Sequence, residues 1–398
     1  MNLQKEILDK AEEIKQEIID IRRRIHAYPE IGLEEYVTAK FISDKLKELG
    51  LQVKTGVGHT GVVGLLMGKN PGKTILLRAD MDCLKLEEKN EVSFKSTRPG
   101  LMHACGHDGH VAWLLGAAII LTELKKHING NIKFVFQPSE ENATGAAEMI
   151  KDGVLENPKV DYALGAHVWP TLPSGKIGMK KGAIMAATAF FRIIIHGKGA
   201  HAASPHISID PISLGVQIYT GLQLIVSRRL DPLEAAVLTI GKFEAGTANN
   251  IIPDNAILEG TVRSLAPYLS EKINAMMEEV IKGICDANGA MYEFIYDEYH
   301  PVLVNDPKVI DALMEATVEL LGEESLVRLD KGSMAGEDFS AFLQTTKGAY
   351  IWIGNENADL GTDKPLHSSN FNIDEDILPI AAAALAYMSI ALLNKINL

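Results

Sequence analysis

The sequence predicts an α/β protein built on a mixed sheet with helices on both faces, interrupted by a smaller inserted domain. Three observations lead there. Helical and strand-like patterns alternate from Thr38 onward, the pattern changes near Gly182, and the alternation resumes after residue 297. A chain of 398 residues also exceeds the usual size of one hydrophobic core, so two domains are expected.

The first segment, Met1–Arg24, reads as one amphipathic helix, with Leu3, Ile7, Ile14, Ile18, Ile21 and Ile25 on a single face. Phe41–Leu49 is helical and Gly61–Met67 strand-like. Thr74–Arg78 is a short apolar run of the kind found in buried strands. Helical spacing returns over His110–Leu124, and Ile132–Phe136 and Tyr162–Val168 read again as strands. Such alternation builds a sheet covered by helices, whose ligands gather at the carboxyl ends of the strands.

Beyond Gly182 the order is strand (Phe190–His196), helix (Asp210–Arg228), strand (Val237–Phe243), strand (Ala256–Arg263), helix (Ser270–Ala287) and strand (Met291–Tyr296). That is the β-α-β-β-α-β succession of a ferredoxin-like unit. The expected division is therefore 1–181 with 298–398 as one domain and 182–297 as the insertion. Pro307–Leu321 then reads as a helix and Ala349–Gly354 as a strand. Ile377–Leu393 carries no charge, but it is short for a membrane span and reads as a buried helix.

A net charge of −13 argues against nucleic acid or an anionic membrane as partner, since both require basic patches. The three cysteines, Cys83, Cys105 and Cys285, are too few and scattered for a disulfide framework. With no secretory signal visible, a cytoplasmic protein is expected.

The densest chemical feature is Met102–His110 (MHACGHDGH), which packs three histidines and a cysteine into nine residues. Imidazole and thiolate suit zinc and similar ions, so this run is a candidate metal site, with a polar loop or a helix cap as the bland reading. Glu140 and Glu141 follow the apolar strand IKFVF, where two carboxylates are costly unless a positive charge meets them, with a solvated loop as the bland reading. Asp80 and Asp82 sit similarly after TILLR. His167 and His367 are lone histidines, which by themselves are more often structural than ligating.

Together these runs form an ordered set: LRADMD, MHACGHDGH, FQPSEE, GAHVWP, GKGAHAASPH, NNIIP, GTVR, GEDF and LHS. The set resembles the amidohydrolase branch of the two-metal aminoacylase and carboxypeptidase family, which includes hippurate hydrolases, N-acetyl-diaminopimelate deacetylases and indole-acetyl-amino-acid hydrolases. The likeness runs from about Arg22 to His367. It implies metal-dependent hydrolysis of the amide bond of N-acyl amino acids, with dipeptidase or carboxypeptidase action as the near alternative. A non-catalytic metal-binding protein is the distant one.

The resemblance makes Cys105, His107, Glu141, His167 and His367 the ligands of two divalent ions. Zinc is the first expectation, with manganese, cobalt and nickel open. It makes Glu140 the general base and Asp82 a supporting carboxylate. In the inserted domain it assigns His201 to the scissile carbonyl, and Asn250 and Arg263 to a small substrate with a free carboxylate. It also implies a homodimer held through that domain. Asp82-Cys83-Leu84-Lys85 departs from the family's usual Asp-Ala-Leu-Pro, which bears on substrate preference rather than on any ligand.

Overall fold

The computed structural model describes residues 2–395; Met1 and residues 396–398 lie outside the described residues. The described chain divides into two compact units. The first comprises Met1–Gly182, Val304–Lys331 and Asp338–Leu398, and the second Ala183–Leu303 with Gly332–Glu337.

The first unit is built on an eight-stranded mixed sheet. Its order is Gln52–Val57, Gly61–Met67, Asn129–Gln137, Asn70–Asp80, Tyr162–Pro173, Lys347–Glu356, Ile177–Met179 and Leu326–Arg328. The central strands Asn129–Gln137, Asn70–Asp80, Tyr162–Pro173 and Lys347–Glu356 run parallel, and Gln52–Met67 adds an antiparallel hairpin at one edge. Parallel strands of this kind are buried on both sides, which is why their sequences read as continuous apolar runs.

The two faces are covered unequally. Alternate residues Ile75, Leu77, Ile132, Phe134, Leu164, Ala166, Ile351 and Ile353 pack into a large core with the long helices His107–Glu123, Pro307–Leu321 and Ile377–Lys395. The opposite face carries Arg78, Lys133 and Tyr350, and its helices are short: Gly145–Lys151 and Ser340–Leu343. Lys133 ties the loop after Gly145–Lys151 to this face by donating to the carbonyls of Val154, Glu156 and Pro158 at 2.8–2.9 Å.

The single helix expected at the N-terminus is two, Leu3–Glu13 and Lys15–His26, parted at Ile14 (φ −95°, ψ 7°). Its apolar stripe survives the break, since Ile7, Ile14, Ile18, Ile21 and Ile25 are all buried. The last helix is long and apolar enough to cross a membrane, yet 83% of the Ile377–Asn394 window is buried inside the protein.

The second unit has a four-stranded antiparallel sheet in the order Ala236–Ala245, Asn255–Ser264, Ala187–His196, Met291–His300. Its helices Pro211–Leu224 and Leu269–Asn288 close a separate core around Phe191, Ile193, Leu214, Ile218, Leu258, Ile273 and Ile281.

Candidate metal centre

Two strand ends and one helix start create the site in the first unit. Asp80 ends its strand and Asp82 follows it. Glu140 and Glu141 follow the strand that ends at Gln137, and His167 lies within Tyr162–Pro173, which runs on past the expected end at Val168. The expected helix at His110 starts three residues earlier, at His107, because Gly106 adopts a left-handed N-cap (φ 89°) that turns the chain sharply into it. This places Cys105 and His107 on either side of that turn.

All five expected ligands converge. Cys105, His107 and His167 bring one donor atom each within 4.8 Å of one another, and so do Cys105, Glu141 and His367. The two triads share the thiol. Glu140 joins His107 and Glu141 in a third such group.

The tautomers of the two buried imidazoles are set by their outer nitrogens. His107 Nδ1 meets the carbonyl of Asp82 at 3.0 Å and its Oδ1 at 3.1 Å, which leaves Nε2 facing inward with no hydrogen-bond partner. His167 Nδ1 meets the carbonyl of Val168 at 2.7 Å, which leaves Nε2 3.5 Å from Cys105 Sγ. Donation from one imidazole nitrogen to protein oxygen is the arrangement that frees the other for a metal. Asp82 also accepts from the Glu141 amide at 3.1 Å, so one carboxylate orients two expected ligands.

The electrostatics of the cluster call for a cation. Burial alone would push the His107 imidazole down, but Asp80, Asp82 and Glu141 outweigh it and bring its pKa to about 10. Burial, reinforced by Glu141, Glu140 and Asp80, pushes the Cys105 thiol well above its ordinary value. A divalent ion reverses that balance, because a coordinating thiol is deprotonated outright. The buried Glu141 Oε1 makes no hydrogen bond within ordinary geometry and faces His367 Nε2 at 3.4 Å and His107 Nε2 at 4.0 Å. Thiol, imidazole and carboxylate donors whose inner atoms face one another fit divalent metal ions.

Supporting residues that the motif reading left without a role lie beneath the ligands. His110 Nδ1 meets Asp80 at 2.5 Å, and its Nε2 accepts from the Val168 amide at 3.0 Å, next to His167. Arg78 pairs with Asp80 at 2.6 Å and with Asp338 at 2.8 Å, and donates to Gln137 at 2.9 Å. Asp80 was marked by its place at the end of TILLR and His110 by its place in the histidine run, but neither signal gave it a role. His103, the first histidine of its run, does not join the ligands; its ring lies 6.4 Å from that of His26.

The remaining expected residues belong to the second unit. His201 is exposed, in a two-residue strand paired with Ile251–Ile252, and its Nδ1 accepts from the Ala203 amide at 3.0 Å. Asn250 is exposed, and its carbonyl accepts from the Ala202 amide. Arg263 is half-buried, donates to Thr188 Oγ1 at 2.6 Å and has no ion-pair partner among the described residues. Burial pushes its pKa down.

Residues 76–390 match the model of peptidase family M20/M25/M40. The chain belongs to that family. It is similar to thermostable carboxypeptidase 1 of Saccharolobus solfataricus, at 42% identity over 99% of this chain and 100% of that one. It is also similar to an N-acyl-L-amino acid amidohydrolase of Geobacillus stearothermophilus, at 45% identity over 76% of this chain and 81% of that one. Among solved structures, the YXEP protein of Bacillus subtilis, described as a dinuclear metal binding peptidase from the M20 family, superimposes with a TM-score of 0.85. It is 33% identical and covers 97% of this chain and 99% of that one. This M20-family chain is a metal-dependent hydrolase of amide or peptide bonds.

Proposed function

We propose that this enzyme hydrolyses the amide bond of N-acyl amino acids, with Glu140 as general base and Cys105, His107, Glu141, His167 and His367 holding two divalent ions. The observation that carries the reading is the position of Glu140. It is 8% exposed, adjacent in sequence to Glu141, and its carboxylate lies within 4.8 Å of the donor atoms of His107 and Glu141. When bound, paired divalent ions polarise the carbonyl and acidify water. Glu140 accepts the proton on a carboxylate oxygen and returns it to the leaving nitrogen. Asp82 and His110 hold the surrounding side chains, so little reorganisation accompanies the proton transfer. The soft thiol of Cys105 favours zinc, with manganese, cobalt and nickel as alternatives.

The second unit, read as an inserted ferredoxin-like domain, supplies the substrate contacts in this proposal. His201, whose Nδ1 accepts from the Ala203 amide, carries its proton on Nε2 and can donate to a developing oxyanion. Asn250 offers an exposed side-chain amide. Arg263, without an acidic partner, presents a planar fork to the substrate's free carboxylate. The same unit is proposed to hold a homodimer, with His201 acting on the partner subunit's substrate. Mixing inactive His201→Ala and Glu140→Gln proteins tests this, since mixed dimers would regain one intact site. The compartment proposed is the cytoplasm, which suits three buried, unpaired cysteines.

The deciding experiment is a hydrolysis screen of N-acetyl amino acids, N-benzoyl amino acids and dipeptides, with zinc, manganese, cobalt and nickel in turn. Turnover of the acyl amino acids above the dipeptides supports the proposal. Preference for dipeptides replaces it with peptidase action at the same site.

A further inference from the structure

The backbone that carries Glu140 and Glu141 is held in an uncommon conformation. Ser139 has φ 52° and Ala143 φ 56°, both in the left-handed region that non-glycine residues rarely adopt. The turn is tight enough that a Cβ on Gly145 would meet the Pro138 carbonyl oxygen at 1.6 Å. Within it, the Ser139 carbonyl accepts from the amides of Thr144 and Gly145, and the Glu140 carbonyl accepts from the Ala143 amide. Those bonds close the far side of the turn. On the near side two amides point outward, at Ser139 and Glu141. Asp82 accepts the second. A residue from a distant segment accepts the first.

That residue is Glu35. Its side chain is completely buried; one carboxylate oxygen accepts from the Ser139 amide at 2.9 Å and the other from the Thr60 hydroxyl at 2.5 Å. Glu35 occupies the N-cap of the helix Tyr36–Glu48, where an acidic side chain ordinarily folds back onto its own helix. It makes no such bond. Glu30 does that work instead, accepting from the Val37 amide at 3.1 Å and from the amide and hydroxyl of Thr38 at 2.8 and 2.9 Å. The helix start is thus satisfied without Glu35, whose carboxylate is directed at the catalytic turn. Burying a carboxyl group there is costly, and burial pushes its pKa up to about 7. Helix capping gives no reason for that expense.

We propose that Glu35 is a positioning residue for hydrolysis: by accepting the Ser139 amide it holds the left-handed backbone that aims the Glu140 carboxylate. The proposal rests on the reading of Glu140 as general base. Without Glu35 the Ser139 amide is buried and unpaired, and relaxation of its φ swings the next peptide and the Glu140 side chain with it. Glu141 keeps its own anchor in Asp82, so metal binding is spared while the base is misplaced.

The test measures kcat, KM and metal content for Glu35→Ala, Glu35→Gln and Thr60→Val, with Glu140→Gln in the same assay. A glutamine can accept the Ser139 amide with its oxygen and donate to Thr60 with its nitrogen, so it preserves the geometry without the charge. Glu35→Ala is expected to lose about 100-fold in kcat, the scale of a misplaced catalytic group. Its KM and metal content should stay within about twofold, and Glu35→Gln should recover kcat to within about fivefold of the parent. If Glu35→Ala does not fold, Thr60→Val carries the test. Removing the carboxylate's second anchor should lower kcat several-fold with KM unchanged, and an unchanged kcat overturns the proposal. So does a Glu35→Ala enzyme with parental kcat, or one whose kcat, KM and metal content fail together without rescue by glutamine. Retained turnover in Glu140→Gln overturns the base reading and the positioning role with it. Lost turnover there beside an unaffected Glu35→Ala overturns the positioning role alone.

Discussion

His107 Nε2 and Glu141 Oε1 face each other across 4.0 Å, both atoms buried and neither with a hydrogen-bond partner. Their outer sides are both held by Asp82, through His107 Nδ1 and the Glu141 amide. His367 Nε2 lies 3.4 Å from the same Glu141 oxygen and Asp80 Oδ2 3.7 Å from the same His107 nitrogen, so an imidazole and a carboxylate fixed from behind gather further donors around one point.

Metal content therefore depends on the donors that complete this cluster. Cys105→Ala should lower occupancy measured by elemental analysis, because both triads lose their shared thiol. Cys83→Ala and Cys285→Ala should leave it unchanged, since neither cysteine belongs to a candidate metal group among the described residues. Chelation of the parent should lower its unfolding temperature, as removal of any ligand specific to the folded state does. Full occupancy in the Cys105 variant removes that residue from the ligand set.

Glu140→Gln separates chemistry from binding. Gln matches the shape of Glu but cannot take a proton, so metal content should persist while kcat falls about 100- to 10,000-fold. Turnover close to that of the parent assigns the base elsewhere.

Much of this centre was legible in the sequence because its chemistry is concentrated in short runs. The ends of TILLR and IKFVF predict where carboxylates gather, and MHACGHDGH carries its donors within a few residues. What escaped is long-range or conformational. Arg78 and Asp338 are joined across 260 positions, and Glu35 and Ser139 across 104, with no local pattern to link either pair. The helix start at His107 was hidden because its first turn is polar and the apolar period begins only at Val111. The break at Ile14 carries neither glycine nor proline, and the apolar stripe continues straight through it.

Arg263 should govern substrates by their charge. Arg263→Ala is expected to raise KM for substrates with a free α-carboxylate by about ten- to a hundredfold, the range of a hydrogen bond to a charged group. The corresponding amides should be affected much less. Equal losses on both assign the guanidinium to its contact with Thr188 and the integrity of its sheet.

Stability should vary with pH through the buried carboxyl group of Glu35. Burial raises the Glu35 carboxyl from 4.5 to about 7 in the folded protein. A folded pKa above the unfolded one means that the native state binds the proton more tightly between those values. Its contribution is therefore fully present below pH 4.5 and is lost as the pH rises through about 7. The span corresponds to roughly 3 kcal/mol at most. Glu35→Gln is neutral throughout and keeps the same shape, so the difference between parent and variant isolates this one group. Urea unfolding should be followed on metal-free protein, because nearby divalent ions favour the charged carboxylate. From about pH 5 to about pH 8 the parent should lose roughly 2–3 kcal/mol relative to the variant. A difference that stays flat across that interval means the carboxylate is as well accommodated charged as neutral. The bonds from Ser139 and Thr60 would then offset its burial in full.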